Sequence, residues 1–378
     1  MSGGGVVSQI VVRSEIERTA RVMQIEGMFD IHPSKYAETV IPNNIPDLSE
    51  LEWNVGLIVG PSGAGKSTVA KHMFGKLVDP DLVWSEKNAV VDGFPKDMTV
   101  KDVSLLLSSV GFSSPPAWLR PHHTLSTGEK FRTNMARLLA EYPELVVVDE
   151  FTSVVDRTVA QIGSAAIAKT VRRRNQKFVA VTCHYDIAEW LQPDWTYEPA
   201  SGRFELRSLR QRPQLEMRVF RSDYSAWKLF SRHHYLSADV NKGAHIYIAE
   251  IGGQPAALVA VIPMPSGVVS NAWRMSRTVV MPDFQGVGVA GAMMSLIGSA
   301  YKADHRRAYA TTAHPAMIMA LNNNPNWRIT HKPKRAGNKG GTKIKNLSHA
   351  TNRMTAGFEY IGPANNDAAR LLPSRAGK

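Results

Sequence analysis

The spacing of apolar positions changes along the chain, and the period assigns the elements. Val55 to Val59 is a short apolar run followed, at Val69 to Phe74, by a helical pattern. Leu145 to Val148 and Phe178 to Thr182 are apolar on every position, as strands buried on both faces of a parallel sheet must be. Between them, Phe131, Met135, Leu138 and Leu139 recur at helical spacing from Lys130 to Glu141, and a further helix runs to about Arg174. Upstream, residues 8–13 and 20–29 read as short strands, with a Pro/Asn-rich connection from Ile41 to Pro46. This pattern places the first half in the α/β class.

The second half alternates differently. A strand is expected at Leu215 to Phe220 and a short helix opening at Trp227. Strands at His245 to Ile251 and Ala256 to Ile262 are joined by Gly252-Gly253-Gln254-Pro255, a good hairpin turn. Trp273 to Met281 is a strand, a glycine-bearing loop leads into a helix ending near Tyr301, and Ala308 to Thr312 is a last strand.

Chemistry enters first at the loop after Val59, Gly-Pro-Ser-Gly-Ala-Gly-Lys-Ser-Thr from Gly60 to Thr68. A glycine-rich turn from strand to helix lets successive backbone N–H groups, backed by the helix N-terminus, cradle a polyphosphate. Gly60, Gly63 and Gly65 permit that backbone, with Ser62 in the same turn. Lys66 can reach the β- and γ-phosphates, and Ser67, followed by Thr68, offers a hydroxyl to Mg2+.

Downstream, Leu125-Ser126-Thr127-Gly128-Glu129 opens a helix, so that Ser126 and Gly128 face an anion with hydroxyl and N–H groups. The buried strand ending at Val148 delivers Asp149 and Glu150 to the sheet edge where such folds bind ligands. Asp149 suits a Mg2+ shell, and Glu150 can orient or deprotonate an attacking water. Ser153-Val154-Val155-Asp156 follows, and His184 stands just beyond the strand Phe178 to Thr182, within reach of a γ-phosphate. Each feature alone is also a capped helix, a pair of capping acids or a structural histidine. Their order is what adds meaning.

That ordered set resembles the Walker A, signature, Walker B, D-loop and H-loop positions of the ATP-binding-cassette (ABC) ATPases, over roughly residues 5–200. The resemblance implies ATP and Mg2+ as cofactors. It also implies a homodimer in which Ser126 and Gly128 of one subunit close over the nucleotide held by Lys66 of the other. Two departures stand out. No glutamine occurs between Lys66 and Leu125, leaving Asp92 in Val90-Val91-Asp92-Gly93-Phe94 as a substitute for the Q-loop residue, and Ser126 follows Lys66 closely. Tyr36 is a candidate for stacking on adenine.

In the second half, Gln285-Gly286-Val287-Gly288-Val289-Ala290 lies between a strand and a helix. It can aim N–H groups at a pyrophosphate, but no Lys-Ser pair follows, so it is not a second P-loop. With the flanking elements it resembles the GNAT acyltransferases, over about residues 215–335, which implies an α+β GNAT-like domain binding acetyl-CoA or a related acyl donor along Val280, Gln285, Gly286, Gly288 and Ala290. The stretches His233 to Ser237, Ser276 to Asp283 and Thr312 to Ala316 are most similar to the Mom group of phage DNA-modification proteins, which act on the exocyclic amine of adenine. Amine acylation needs a proton acceptor, carbonyl donors and an acid for the thiolate. His314 and Tyr235 lead the candidates, joined by His234, Ser276 and Arg277. Packing or substrate orientation is the alternative role for each, and the paired His233 and His234 lack the spacing of a metal site.

Composition narrows the setting. With 378 residues, 43% hydrophobic and 21% charged, the chain has the balance of a two-domain globular protein, here 1–205 and 206–378. No apolar run approaches membrane-spanning length, and residues 1–5 do not open a secretory signal. Cys183 is the single cysteine, which excludes an internal disulfide and a cysteine-based zinc site. A cytoplasmic protein without a membrane partner is expected. From Arg203 onward 25 Lys and Arg face 9 Asp and Glu, whereas the first 202 residues hold 20 against 24. So basic a second half, with a basic loop at 328–345 expected to be flexible, suits a polyanion such as DNA or, second, RNA. The expected function is ATP-dependent modification of a nucleic-acid base amine. The alternatives are an acyltransferase for protein or small-molecule amines and a non-catalytic ATP-driven DNA clamp.

Overall fold

Local signals and long-range packing divide the work of building this chain, as the computed structural model shows over residues 8–78, 80–207, 215–234, 239–265, 269–335 and 354–372. In chain order the first elements are β1 (Ser8–Glu15), α1 (Ala20–Phe29), β2 (Tyr36–Asn43), β3 (Val55–Val59) and α2 (Lys66–Phe74). Next come α3 (Val100–Ser109), α4 (Pro115–Trp118), α5 (Thr127–Glu141), β4 (Leu145–Val148), α6 (Arg157–Arg173) and β5 (Lys177–Thr182). Then follow α7 (Ile187–Leu191), β6 (Trp195–Glu198), β7 (Arg203–Leu206), β8 (Met217–Ser222) and α8 (Trp227–Phe230). The remainder is β9 (His245–Ile251), β10 (Gln254–Pro263), β11 (Ala272–Val280), α9 (Val289–Ala303), β12 (Arg307–Thr312), α10 (Pro315–Asn322), β13 (Trp327–Arg335) and β14 (Met354–Tyr360).

Two compact units interleave along the sequence. One comprises Met1–Leu82, Tyr142–Val154 and Ala168–Arg212; the other comprises Val83–Glu141, Val155–Ile167 and Pro213–Lys378. Sequence reading draws a single boundary near residue 205, whereas packing groups the segment 83–141 with the C-terminal half.

The first unit is built on a five-stranded sheet in the order β4-β5-β3-β6-β7, parallel except for the β6–β7 hairpin. Every residue of β3 is buried. Gly56 sits in its middle because the Trp195 indole lies there: a Cβ at that position would come within 2.1 Å of the ring. The indole is fully buried and meets Trp53 edge-on at 5.5 Å. A side chain of this size, removed from water, contributes on the order of 2–3 kcal/mol. Residues 20–29 are helical rather than a strand. Thr19 caps them, its hydroxyl accepting from Val22 N, and Asp30 closes the helix at φ 52°.

The second unit holds a seven-stranded sheet in the order β13-β14-β12-β11-β10-β9-β8. Its strands are antiparallel except for β11 and β12, which run parallel and are joined through α9. Met293, Ile297 and Tyr301 of α9 pack against one face, with Val259, Ala310 and Phe358 from the sheet. Trp227 and Phe230 cover part of the other face, over Ile246, Leu258 and Val279. Residues 328–335 of the expected flexible loop are strand β13, paired with β14, and residues 336–345 lie outside the described residues. Among the described residues, no helix is long and apolar enough to cross a membrane.

Candidate functional site

In the first unit, strand register brings three motifs to one sheet edge. Val59 pairs with Thr182 and Val148 with Ala180, all in parallel strands, so the P-loop, Asp149-Glu150 and His184 leave at the same end. Gly63 and Gly65 have φ of 79° and 82°, the left-handed region that glycine adopts without penalty. At Gly65 a Cβ would also stand 2.4 Å from Ile41 Cδ1, so the position is fixed twice. Gly60 is buried, Ser62 is exposed, and Lys66, Ser67 and Thr68 at the start of α2 are half-buried. Lys66 Nζ donates to Pro61 O at 2.9 Å and so curls over the loop.

Asp149 and Glu150 follow β4 in a strained turn. Glu150 and Thr152 adopt φ of 49° and 67°, which costs a residue with a Cβ about 1–2 kcal/mol. Three bonds hold the turn: Glu150 N donates to Asp149 Oδ1 at 3.0 Å, Ser153 Oγ to Glu150 Oε2 at 2.6 Å, and Phe151 N to Val181 O at 2.9 Å. Glu150 thus remains exposed while its carboxylate is oriented by Ser153. His184 N donates to Thr182 Oγ1 at 3.2 Å. The set fits a Mg–nucleotide: hydroxyl and carboxylate oxygens from Ser67 and Asp149 for a hard cation, and Lys66 with loop N–H groups for phosphates. Tyr36, in β2, is exposed with Lys35 Nζ 5.6 Å from its ring centroid. Among the described residues, no group of three or more His, Cys, Asp or Glu could hold a metal ion alone.

Ser126 and Gly128 belong to the second unit. Ser126 Oγ accepts from Glu129 N at 3.3 Å and Ser126 N donates to Glu129 Oε2 at 2.9 Å, a reciprocal capping box that fixes the start of α5. Asp156 likewise caps α6, accepting from Val159 N at 3.0 Å. Asp92 lies in a short 3-10 turn and lines a 360 Å³ cavity with Trp84, Phe94, Lys96 and Arg137.

The expected acyl-donor loop spans the gap between β11 and α9. β11 and β12 are paired only from Ala272–Arg307 to Met275–Ala310, although β11 continues to Val280 and β12 to Thr312. Gly288, at φ 98°, caps α9, and nothing stands within 4 Å of where its Cβ would be. Val280, Gly286 and Ala290 are half-buried. Gln285 is engaged: Nε2 donates to Val280 O at 2.9 Å and Oε1 accepts from Ser113 N. Gly286 at φ 87° and Gly111 at φ 92° meet face to face, so that a Cβ on either would fall within 2.8 Å of the other's loop backbone.

The candidate catalytic side chains fall into separate surroundings. His314, the residue before α10, stacks edge-on against Trp118 at 6.1 Å and has Nε2 buried without a hydrogen-bond partner. Burial pushes its pKa below the ordinary histidine value, offset in part by a bond to the Ser113 backbone. His314 and Gln285 therefore share one neighbour, the segment 111–118. Ser276 Oγ donates to Ala260 O at 3.2 Å, and Arg277 donates to Ser276 O at 2.9 Å and Asp239 O at 3.2 Å. His234 lies edge-on to Trp227 at 5.7 Å. Tyr235 lies outside the described residues.

Sequence reading missed Gly111, Ser113 and Arg132, the residues that meet the Asp283–Gly286 loop. Arg132 is fully buried and donates to Asp283 O at 3.0 Å. A signal existed: Arg132 falls three and seven residues before Met135 and Leu139, on the apolar stripe of α5.

No family model matches the chain. Among curated proteins, the energy-coupling factor transporter ATP-binding protein EcfA1 of Geobacillus kaustophilus is 26% identical over 212 residues, covering 46% of this chain and 73% of that protein. The protein of the same name from Listeria monocytogenes is 30% identical over 183 residues, 38% of this chain and 63% of its own length. Among solved structures, a cbiO1 from Clostridium perfringens, part of an ABC transporter complex, superposes with a TM-score of 0.35 at 21% identity, over 46% of this chain and 80% of that one. By sequence, part of this chain is similar to transporter ATP-binding proteins, and its ordered motifs resemble those of the ABC ATPases.

Proposed function

We propose that the chain uses ATP hydrolysis in support of acyl transfer onto an exocyclic amine of a nucleic-acid base, in DNA before RNA. In the nucleotide site, Lys66 and the loop N–H groups bind phosphates, Ser67 and Asp149 hold Mg2+, and Glu150, oriented by Ser153, positions the attacking water. His184 contacts the γ-phosphate in this reading. Ser126 and Gly128 close the nucleotide from a second subunit, which makes the working form a homodimer.

The observation that carries the transferase reading is the β11–loop–α9–β12 arrangement, with paired strands that part beyond Met275 and an open Gly288 at the N-terminus of a fifteen-residue helix. Bound there, acetyl-CoA or a related thioester would supply an activated carbonyl. The backbone of Gly286 to Ala290, rather than the Gln285 side chain already bonded to Val280 and Ser113, supplies its phosphate contacts. His314, kept neutral near pH 7 by burial, is fit to accept the proton of an attacking amine. An amine paired in duplex DNA must first be exposed, and base flipping is one route.

Mass analysis of nucleosides from cells expressing wild-type, Glu150→Gln or His314→Ala chains tests the proposal. A new adenosine-derived mass in wild type alone supports it. Absence of any new nucleoside beside intact ATPase activity transfers support to the clamp or to acylation of other amines. A second reading, ATP-driven work beside membrane subunits, draws on the relatives, which are named as transporter ATP-binding proteins. Co-sedimentation of the chain with membranes only when ATP is present favours that reading.

A further inference from the structure

The sheet of the second unit carries a basic row on the face away from α9. Ala308, Ala310, Ala356, Phe358, Trp327 and Met275 point into the α9 core. Alternation therefore turns Arg307, Tyr309, Glu359, Arg328 and Arg274 to the opposite side. Register aligns them: Arg274 pairs with Tyr309, Tyr309 with Glu359, and Glu359 with Arg328, across β11, β12, β14 and β13. At about 4.8 Å per strand the row is roughly 15 Å long, with an arginine at each end.

One carboxylate organises this row. Glu359 is nearly buried; it accepts from Arg307 Nε at 2.8 Å, Tyr309 Oη at 3.1 Å and Arg328 Nη2 at 2.6 Å. Arg307 and Arg328 nevertheless keep 47% and 60% of their side chains exposed, so their remaining N–H groups face solvent. Arg274 is exposed and has no ion pair among the described residues. Three guanidinium groups share the row with one carboxylate, leaving the face positive; Arg307 and Arg328 are held in place by it, and Arg274 stands two strands away.

From this arrangement we infer that the β11–β12–β14–β13 face holds the sugar-phosphate backbone of a nucleic acid. The inference rests on the nucleic-acid partner proposed above and assigns it a surface. Arginine forks match phosphate oxygens, and spacing them across strands suits a chain of phosphates rather than one small anion. Tyr309, inside the row, carries the Arg307 guanidinium 5.5 Å from its ring centroid and bonds Glu359, so it helps to preorganise the arginine. No large apolar side chain stands in this row to anchor a lipid surface.

The test is fluorescence anisotropy with the full chain and a labelled 25-nucleotide single strand, and the matching duplex, from about 50 to 300 mM salt. Arg274→Ala, Arg328→Ala and their double variant are compared with Lys101→Ala, a charge removed from the solvent-facing first turn of helix α3. The double variant is expected to weaken binding about tenfold or more near 150 mM salt and to flatten the dependence of log K on log salt by roughly 1.5. Lys101→Ala should change neither. Should Arg328→Ala lower the urea midpoint, Arg274→Ala alone decides, because that side chain supports no other. Wild-type binding with unchanged affinity and slope in the variants overturns this surface but leaves the nucleic-acid partner standing. Wild type that binds no nucleic acid removes both. Equal losses in Lys101→Ala, or displacement by polyglutamate as effective as by DNA, overturn the assignment in favour of unspecific charge.

Discussion

Arg132 donates from Nη2 to the carbonyl oxygen of Asp283 at 3.0 Å, while its Nη1 stands 3.6 Å from the Asp283 carboxylate. The guanidinium comes from α5, the helix that Ser126 caps and whose first turn carries Gly128, and it reaches the turn that leads into Gln285. Burial pushes its pKa down, and Asp283 opposes that shift. Nε and Nη1 have no hydrogen-bond partner, so the desolvation is offset only in part.

Arg132→Ala is therefore expected to destabilise the second unit by about 3 kcal/mol, through a cavity and an orphaned carbonyl. Arg132→Met fills the space without the charge and should cost clearly less. Asp283→Ala should cost least, since its carboxylate is half exposed and its carbonyl bond survives. Urea unfolding of the three variants gives the order; Met equal to or worse than Ala would show that the charge itself is required.

Gly286 and Gly288 both have positive φ but differ in what surrounds them. Gly286→Ala places a Cβ 2.8 Å from Gly111 Cα and should cost about 3 kcal/mol, strain and clash together. Gly288→Ala meets open space and should cost about 1 kcal/mol from backbone strain alone. Denaturation midpoints compare the pair. If the acyl-donor reading holds, isothermal titration with acetyl-CoA should show Gly288→Ala losing affinity out of proportion to its stability.

Legibility in the sequence followed the range of the interactions. The P-loop, α5, β4 and β5 were readable because an apolar run, a glycine pattern and a cap each act within a few residues. Helix α1 was not, since its apolar residues Val22, Met23 and Ile25 mimic a strand and the Thr19 cap decides against it. Strand β13 reads as a basic loop because one of its faces is solvent-exposed and its register slips between Ile329 and His331 and again before Lys334. The grouping of 83–141 with the C-terminal half had no local signature. It depends on contacts such as Ser113 with Gln285, which lie 172 residues apart.

Glu150→Gln should retain ATP binding and reduce its hydrolysis by about 100-fold or more, because the amide keeps a bond to Ser153 but cannot take up a proton. Lys66→Ala should instead weaken binding itself. Equilibrium binding of a fluorescent ATP analogue, beside phosphate release, separates the two. Equal hydrolysis in wild type and Glu150→Gln would remove Glu150 from the chemistry and leave its positive φ as a purely structural feature.

Glu359 predicts how stability responds to acid. Burial alone would raise its pKa, but bonds from Arg328 and Arg307, with their charge, bring it below the ordinary value of 4.5. A carboxyl group whose folded pKa lies below its unfolded one contributes in full above the unfolded value, and that contribution disappears as pH falls through the folded one. The wild-type urea midpoint should therefore drop steeply below about pH 4.5, with part of the slope due to this one residue. Glu359→Gln should be less stable at pH 7, where it forfeits two ion pairs, and should lose less on acidification, so the two curves converge as pH falls below the ordinary carboxylate value. Parallel curves over that range would mean that Arg307 and Arg328 do not favour the charged form, and the preorganised arginine row on this sheet face would lose its physical basis.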